Sequence, residues 1–161
     1  MIIVLNKDEF DFEKIEIRDI IPNSIIEDGY FNRIIYNDVL FSTNGIFIKL
    51  NFKILKIESY FNKFKLYFLK DKNIDIINYV LGLESDILSH QRFNDLTPVY
   101  RIKEQINNNL LKALYLNNSK ITNTDVQKLD LSNMNIILKI SGIWSNDNKY
   151  GLTFRFFLPT C

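Results

Sequence analysis

The residues best suited to chemistry in this sequence are lysines and aromatic residues that alternate along β-prone segments. Lys49 and Lys53 fall on the polar side of one such segment, and Lys63, Lys65 and Tyr67 fall on the polar side of the next. Lysines neutralise phosphates and aromatic rings stack on bases, so this interleaving is typical of a surface that holds single-stranded nucleic acid. If the two strands pair, these five side chains share one face.

Four further side chains extend the predicted nucleic-acid face, and they are Arg33, Tyr36, Trp144 and Arg155. Arg155 alternates with the apolar residues of its segment, so it should point away from the core with Thr153. The alternative is that the lysines form an ordinary solvent-exposed face, and that Tyr67 and Trp144 only cover the core. Both interpretations stay open on the sequence alone.

Conventional catalytic chemistry lacks the residues that it needs. The chain has one histidine, His90, and one cysteine, Cys161, so a Cys/His zinc site of the usual spacing cannot be assembled within it. His90 falls at the end of a predicted helix, and Ser89 beside it is not on a nucleophile elbow. The five glycines are scattered and form no phosphate-binding loop. We therefore predict a protein that is not an enzyme and has no metal or cofactor.

A cluster of carboxylates is the one remaining set that could do acid–base work or hold a cation, and it consists of Asp8, Glu9, Asp11 and Glu13. A solvated, charged strand end explains the same residues. A small enzyme with an unusual carboxylate or Tyr/Lys site is thus a third functional class, ranked behind nucleic-acid binding and a role in viral assembly.

Composition indicates one folded domain spanning 1–161. The chain has 161 residues, of which 47% are hydrophobic, and that length suits a single core. The net charge is only +1, so a nucleic-acid site must gather its charge on one face. A single cysteine, a short apolar N-terminus and no long apolar run predict an intracellular protein that is neither secreted nor inserted in a membrane.

Hydrophobic periodicity predicts the elements that must position these residues. The pattern gives strands at about 30–37, 45–57 and 62–70, one main helix at about 73–89 capped by Asp71, and a C-terminal β-hairpin of 135–144 and 150–158. The fold class is mainly β (α+β), and this order is that of an OB-like Greek-key barrel. Segment 90–132 is then a possible insertion. A generic α+β sheet domain and a jelly-roll-like sandwich are the alternatives.

The C-terminal hairpin also carries a resemblance. ILKISGIW at 137–144 and YGLTFRF at 150–156, with a fainter likeness in DGYFNR at 28–33 and TPVY at 97–100, resemble small uncharacterised proteins of large eukaryotic DNA viruses. We associate that group with OB-like single-stranded DNA-binding proteins. The resemblance covers about the last quarter of the chain. It implies a viral protein of DNA replication or related DNA metabolism, with single-stranded DNA or RNA as partner.

The apolar ending of the chain supports a second hypothesis. Familiar single-stranded DNA-binding proteins end in an acidic tail, whereas this chain ends in FFLPTC. A low net charge favours association, so the chain is alternatively a viral structural or assembly protein that packs against its own copies or other proteins. A homo-oligomer, with a dimer as the simplest form, is expected under either hypothesis.

Overall fold

A computed structural model describes residues 2–89, 93, 95–116 and 123–159 of the protein, and these form a mixed β-sheet with few helices. The main path of the sheet runs β1-β5-β10-β11-β9-β7-β6, and β3 joins it through β10. The strands are β1 Leu5–Asn6, β2 Ile15–Pro22, β3 Tyr30–Asn37, β4 Ser42–Asn44, β5 Ile46–Phe52, β6 Ile54–Tyr60, β7 Lys63–Phe68, β8 Thr97–Val99, β9 Leu110–Tyr115, β10 Met134–Ser145 and β11 Lys149–Leu158.

Three α-helices complete the described structure: α1 Ile74–Leu88, α2 Arg101–Asn107 and α3 Asn123–Gln127. The predicted mainly β class, the main helix and the C-terminal hairpin of β10 and β11 are therefore confirmed. In the described part of the chain, no helix combines the length and the apolar character needed to cross a bilayer.

One hydrophobic core lies between the inner face of the sheet and helices α1 and α2. The period-2 pattern is confirmed in β5, where Ile46, Ile48 and Leu50 are all buried in this core. The opposite, outer face of the sheet carries the residues between them, and exposed Lys49 is one of these. The sequence pattern thus separates the two faces correctly.

The predicted single strand at 45–57 is in fact two strands that part at Lys53. The buried amide of Asn73 accepts a hydrogen bond from the Lys53 N–H (2.8 Å) and donates one to the Lys53 carbonyl (3.0 Å). Both backbone groups of Lys53 are therefore satisfied outside a strand ladder, and the chain can turn there. As a result β5 pairs with β10, whereas β6 pairs with β7 at the far edge of the sheet.

The same amide corrects the predicted helix cap. Asn73, not Asp71, is the N-cap residue of α1, and Asp71 lies in the short 3-10 turn before it. The Asn73 side chain makes no capping bond, because it is committed to Lys53 and to the Leu69 carbonyl. Long-range hydrogen bonding has displaced the local capping that the sequence suggested.

The described residues of segment 90–132, which are 93, 95–116 and 123–132, contribute to the same sheet and core. Both β8 and β9 pair in parallel with β11, at its two ends, and α2 occupies the interval between them. Ile102 and Ile106 of α2 and Leu111 of β9 are buried in the core. Because β9 lies between β7 and β11, this segment supplies part of the surface described below. Whether it is an insertion stays a prediction.

Glu84, the polar exception on the apolar side of α1, holds α2 in place. Its carboxylate is 1% exposed and accepts hydrogen bonds from the backbone N–H groups of Ile102 (2.9 Å) and Lys103 (3.0 Å). These N–H groups lie in the first turn of α2 and have no partner within the helix. Burial raises the pKa of Glu84, and the two N–H groups oppose that rise.

Replacing Glu84 with glutamine should destabilise the fold and change how stability depends on pH. Glutamine offers one acceptor oxygen to two N–H groups, so we expect a loss of about 1–3 kcal/mol. With a raised pKa in the folded state, the stabilising contribution of Glu84 is fully present below the ordinary glutamate pKa of about 4.3 and is lost as the pH rises through the folded value.

The measurement is urea denaturation of the wild type and of Glu84→Gln at about pH 4 and pH 7. The stability advantage of the wild type over the variant should be larger at the lower pH. An advantage that grows towards pH 7 would contradict the assigned direction of the Glu84 titration. The comparison isolates Glu84, because every other carboxylate is common to both proteins.

Candidate nucleic-acid interface

A groove of about 1250 Å³ runs across the outer face of the sheet. Strands β10 and β11 form its floor, with Thr153 and Arg155 among the floor residues. One wall is the hairpin of β2 and β3, and the other consists of β9, β7 and the polar side of α2. This order follows the sheet, since β3 and β9 lie on opposite sides of the β10–β11 pair.

We call this surface the basic groove because six exposed cationic side chains line it against one carboxylate, Glu104. The six are Arg33, Lys63, Lys65, Arg101, Lys112 and Arg155. For a protein of net charge +1, this is a strong local concentration of positive charge. A concave surface of one sign attracts counter-ions and raises their local concentration.

The pairing of the strands places three of these cations in one row, and Lys139 of β10 continues the row. Lys112 is directly opposite Lys65, and Arg155 is directly opposite Lys139. Arg155 and Lys112 each come one residue before the paired residues Phe156 and Ala113 of the parallel strands β11 and β9, which makes them neighbours too. Four adjacent strands thus present a continuous row of positive charge, at a spacing of about 4.8 Å between strands.

Such a row is costly in the isolated protein, since like charges directly opposite one another destabilise a sheet. No ion pair joins any of the six groove cations to a carboxylate among residues 2–89, 93, 95–116 and 123–159. By contrast, Lys56 at the far edge of the sheet pairs with Glu58 at 2.8 Å. Lys65 lies directly opposite Glu58 of β6, whose pKa it helps to lower, although the two do not form a close ion pair. The other five cations and Glu104 leave the basic groove with an excess of positive charge.

Trp144 lies in the floor of the basic groove and is only 6% exposed. The guanidinium carbon of Arg101 stands 4.6 Å from the centre of its ring. The ring also rests against Gly151, where an added Cβ would come within 2.8 Å of the indole nitrogen. Trp144 therefore positions Arg101, and its ring faces are too covered to stack on a base.

The structure brings together five of the residues that the sequence predicted for a nucleic-acid surface: Arg33, Lys63, Lys65, Trp144 and Arg155. Tyr67 shares the outer face of β7 with the two lysines, but its side chain is hydrogen-bonded to Glu58 of β6. Its hydroxyl donates to the Glu58 carboxylate at 3.0 Å, a hydrogen bond that raises the pKa of Tyr67.

The other three predicted residues lie elsewhere. Only the second half of the predicted strand 45–57, which is β6, pairs with β7. The half that carries Lys49 is β5, and β10, β11 and β9 separate it from β7. Lys49 and Lys53 border a different depression, of about 890 Å³, whose four lysines face four carboxylates. Tyr36 is on the inner face of β3 and is 1% exposed between Phe10 and Phe41, so its predicted place on the ligand surface is corrected.

Arg101 and Lys112 are groove residues that the sequence analysis missed. Both belong to a segment whose pattern fitted a helix and a broken strand equally well, and it is in fact α2 followed by β9. The available signal was the alternation in Leu111, Lys112 and Ala113, where one polar residue stands between two buried ones. Without the position of β9 in the sheet, that signal did not point to the groove.

Among the residues that the structure describes, no group of His, Cys, Asp and Glu side chains is arranged to hold a metal ion. His90 and Cys161, which the sequence analysis singled out, lie outside the described residues.

Comparison of the chain with protein-family models, curated proteins and solved structures finds no match in any of the three.

Proposed function

We propose that this protein binds single-stranded nucleic acid, DNA or RNA, in the basic groove. The observation that carries the proposal is the row of cations on β7, β9 and β11 of the groove, continued by Lys139 of β10, in a protein with almost no net charge. Phosphates are the ligand that such a row suits, and release of their counter-ions drives binding. Viral DNA replication or related DNA metabolism is the setting that we propose, on the C-terminal resemblance alone.

An OB-like use of the sheet is part of the same proposal. OB domains bind oligonucleotides on the face of their second and third strands. The predicted second strand corresponds to β5 and β6 together, and the predicted third strand corresponds to β7. Lys63 and Lys65 of β7 do line the basic groove, although β5 pairs with β10 and the sheet is open. The proposed binding mode therefore rests on a sheet face and needs no closed barrel.

The direct test is fluorescence anisotropy of a labelled single-stranded oligonucleotide titrated with the protein, with duplex of the same sequence as competitor. We expect the protein to bind the labelled strand at low salt. Unlabelled single strand should displace it more effectively than duplex of the same sequence does. Absence of binding at low salt would overturn the proposal.

Salt dependence should report how many groove cations meet phosphates. Each phosphate contact to a single strand contributes about −0.7 to the slope of log affinity against log salt, so six cations set a limit of about −4. We expect a slope between about −2 and −4, measured by the same titration at several salt concentrations. A slope near zero would show that the groove cations do not contact the backbone.

Self-association is the second candidate function, and exposed apolar side chains favour it. Ile25, Val39, Leu40 and Phe61 are each more than 85% exposed, and all lie in turns. Exposed apolar residues of this kind can mark contacts with other proteins. Sedimentation velocity over a range of protein concentrations would detect the expected homo-oligomer. A monomer at all concentrations would exclude this candidate.

A further inference from the structure

The two walls of the basic groove differ in chemistry. Lys63, Lys65, Arg101 and Lys112 all stand on the wall formed by β7, β9 and α2. The opposite wall is the β2–β3 hairpin, which contributes Ile21, Pro22, Ile25, Ile26 and Phe31, with Arg33 its one cation. The groove therefore has four of its six cations along one side and its exposed apolar side chains along the other.

The apolar wall exposes large side chains to solvent. Ile25 is 89% exposed and Ile21 is 47% exposed, although isoleucine is among the residues most often buried. Neither residue belongs to the hydrophobic core. In the groove they provide an apolar surface beside the cations, which a ligand with an apolar edge can contact.

Local hydrogen bonds hold the loop that carries Ile25. The Asn23 side chain accepts from the backbone N–H of Ile25 at 2.9 Å, and the Asn23 N–H donates to the Gly29 carbonyl at 2.9 Å. The Gly29 N–H in turn donates to the Ile26 carbonyl at 3.1 Å. These bonds fix the loop as a turn, so Ile25 projects from a shaped wall.

We infer that the basic groove orients its ligand, with phosphates along the β7–β9–α2 wall and bases against the β2–β3 hairpin. This inference rests on the proposed function and adds a direction to it. A single strand has a charged edge and an apolar edge, and only this orientation matches both walls. The bases of a duplex are stacked and paired inside, so a duplex cannot offer an apolar edge to Ile21 and Ile25.

The orientation can be tested with two ligands of equal charge. One is a labelled single-stranded oligonucleotide, and the other is an abasic sugar-phosphate chain of the same length. The double variant Ile21→Ser with Ile25→Ser should bind the ordinary strand about tenfold more weakly than the wild type does. It should bind the abasic chain with unchanged affinity, and the salt slope should stay the same for both ligands.

Val39→Ser with Leu40→Ser is the matched control, because these residues are also apolar and are 93% and 89% exposed, in the β3–β4 turn outside the groove. This control should bind both ligands as the wild type does. An equal loss on both ligands, or no loss on either, would overturn the orientation while wild-type binding persists. Failure of the wild type to bind the ordinary strand would instead overturn the proposed function itself.

Discussion

Reversing the charge of Lys112 and Arg155 together should weaken binding of a single-stranded oligonucleotide by about 100-fold at physiological salt. These two cations stand side by side at the centre of the row, on adjacent strands of the groove. The variant Lys112→Glu with Arg155→Glu places two carboxylates where phosphates would lie. The slope of log affinity against log salt should also become shallower by about 1.4, since two phosphate contacts are lost.

A matched control separates local charge from overall charge. Lys49→Glu with Lys53→Glu changes the net charge by the same amount, but these lysines border the depression in which four lysines face four carboxylates. We expect an affinity within about threefold of the wild type, because long-range effects are screened at physiological salt. Equal losses in the two double variants would show that net charge, and not the basic groove, governs binding.

The fold of the groove variant should survive, which makes its binding result interpretable. Lys112 and Arg155 are both exposed, and their present neighbours Lys65 and Lys139 are cations. Replacing them with carboxylates converts repulsion across the strands into attraction. We therefore expect a melting temperature no lower than that of the wild type.

Gly142→Ala should destabilise the protein strongly for the addition of a single methyl group, by about 3 kcal/mol. Gly142 lies in β10 beside β3, and a Cβ there would overlap the carbonyl oxygen of Asn32 and the ring of Phe31. Neither group can move away easily. The Asn32 carbonyl belongs to the backbone of a paired strand, and the Phe31 ring is part of the groove wall. The change should push β3 away from β10 and distort the groove.

Gly82→Ala is the opposite case and serves as the control. Gly82 lies within α1, and a Cβ there would meet nothing within 4 Å. Alanine favours a helix over glycine by about 1 kcal/mol, so this variant should be more stable than the wild type. Urea denaturation followed by the fluorescence of Trp144, the one tryptophan, measures both variants. Similar stability of Gly142→Ala and the wild type would contradict the close approach of β3 to β10.

Much of the fold could be predicted because each strand carries its own pattern. Alternation in β5, β10 and β11 assigned Ile48, Leu138 and Phe156 to the core and Arg155 to the outer face, as the structure has them. The apolar spacing of α1 likewise found Val80 and Ile87. These are local signals with periods of 2 and 3.6 residues, so a sequence can express them without its neighbours.

The prediction of one strand at 45–57 was wrong because a residue distant in sequence overrides the local pattern. The strand at 45–57 breaks at Lys53 because the amide of Asn73, 20 residues later, takes both of its backbone groups. Tyr36 comes two residues after Ile34 on the inner face of β3, and it is buried with Phe10 and Phe41 against it. Its alternation with Ile34 was a local signal of burial, whereas the contact of Asn73 with Lys53 leaves no mark within a short window of sequence.

The mainly β class and the faces of the strongest strands follow from local patterns of residues, and so does the choice of cations for the proposed ligand surface. Which of those residues meet depends on the order of the strands in the folded sheet. Lys65, Lys112 and Arg155 come from three distant segments, and the order of β7, β9 and β11 in the sheet makes them one row. Strand order depends on how the whole core packs, whereas the period of a strand depends only on its own residues.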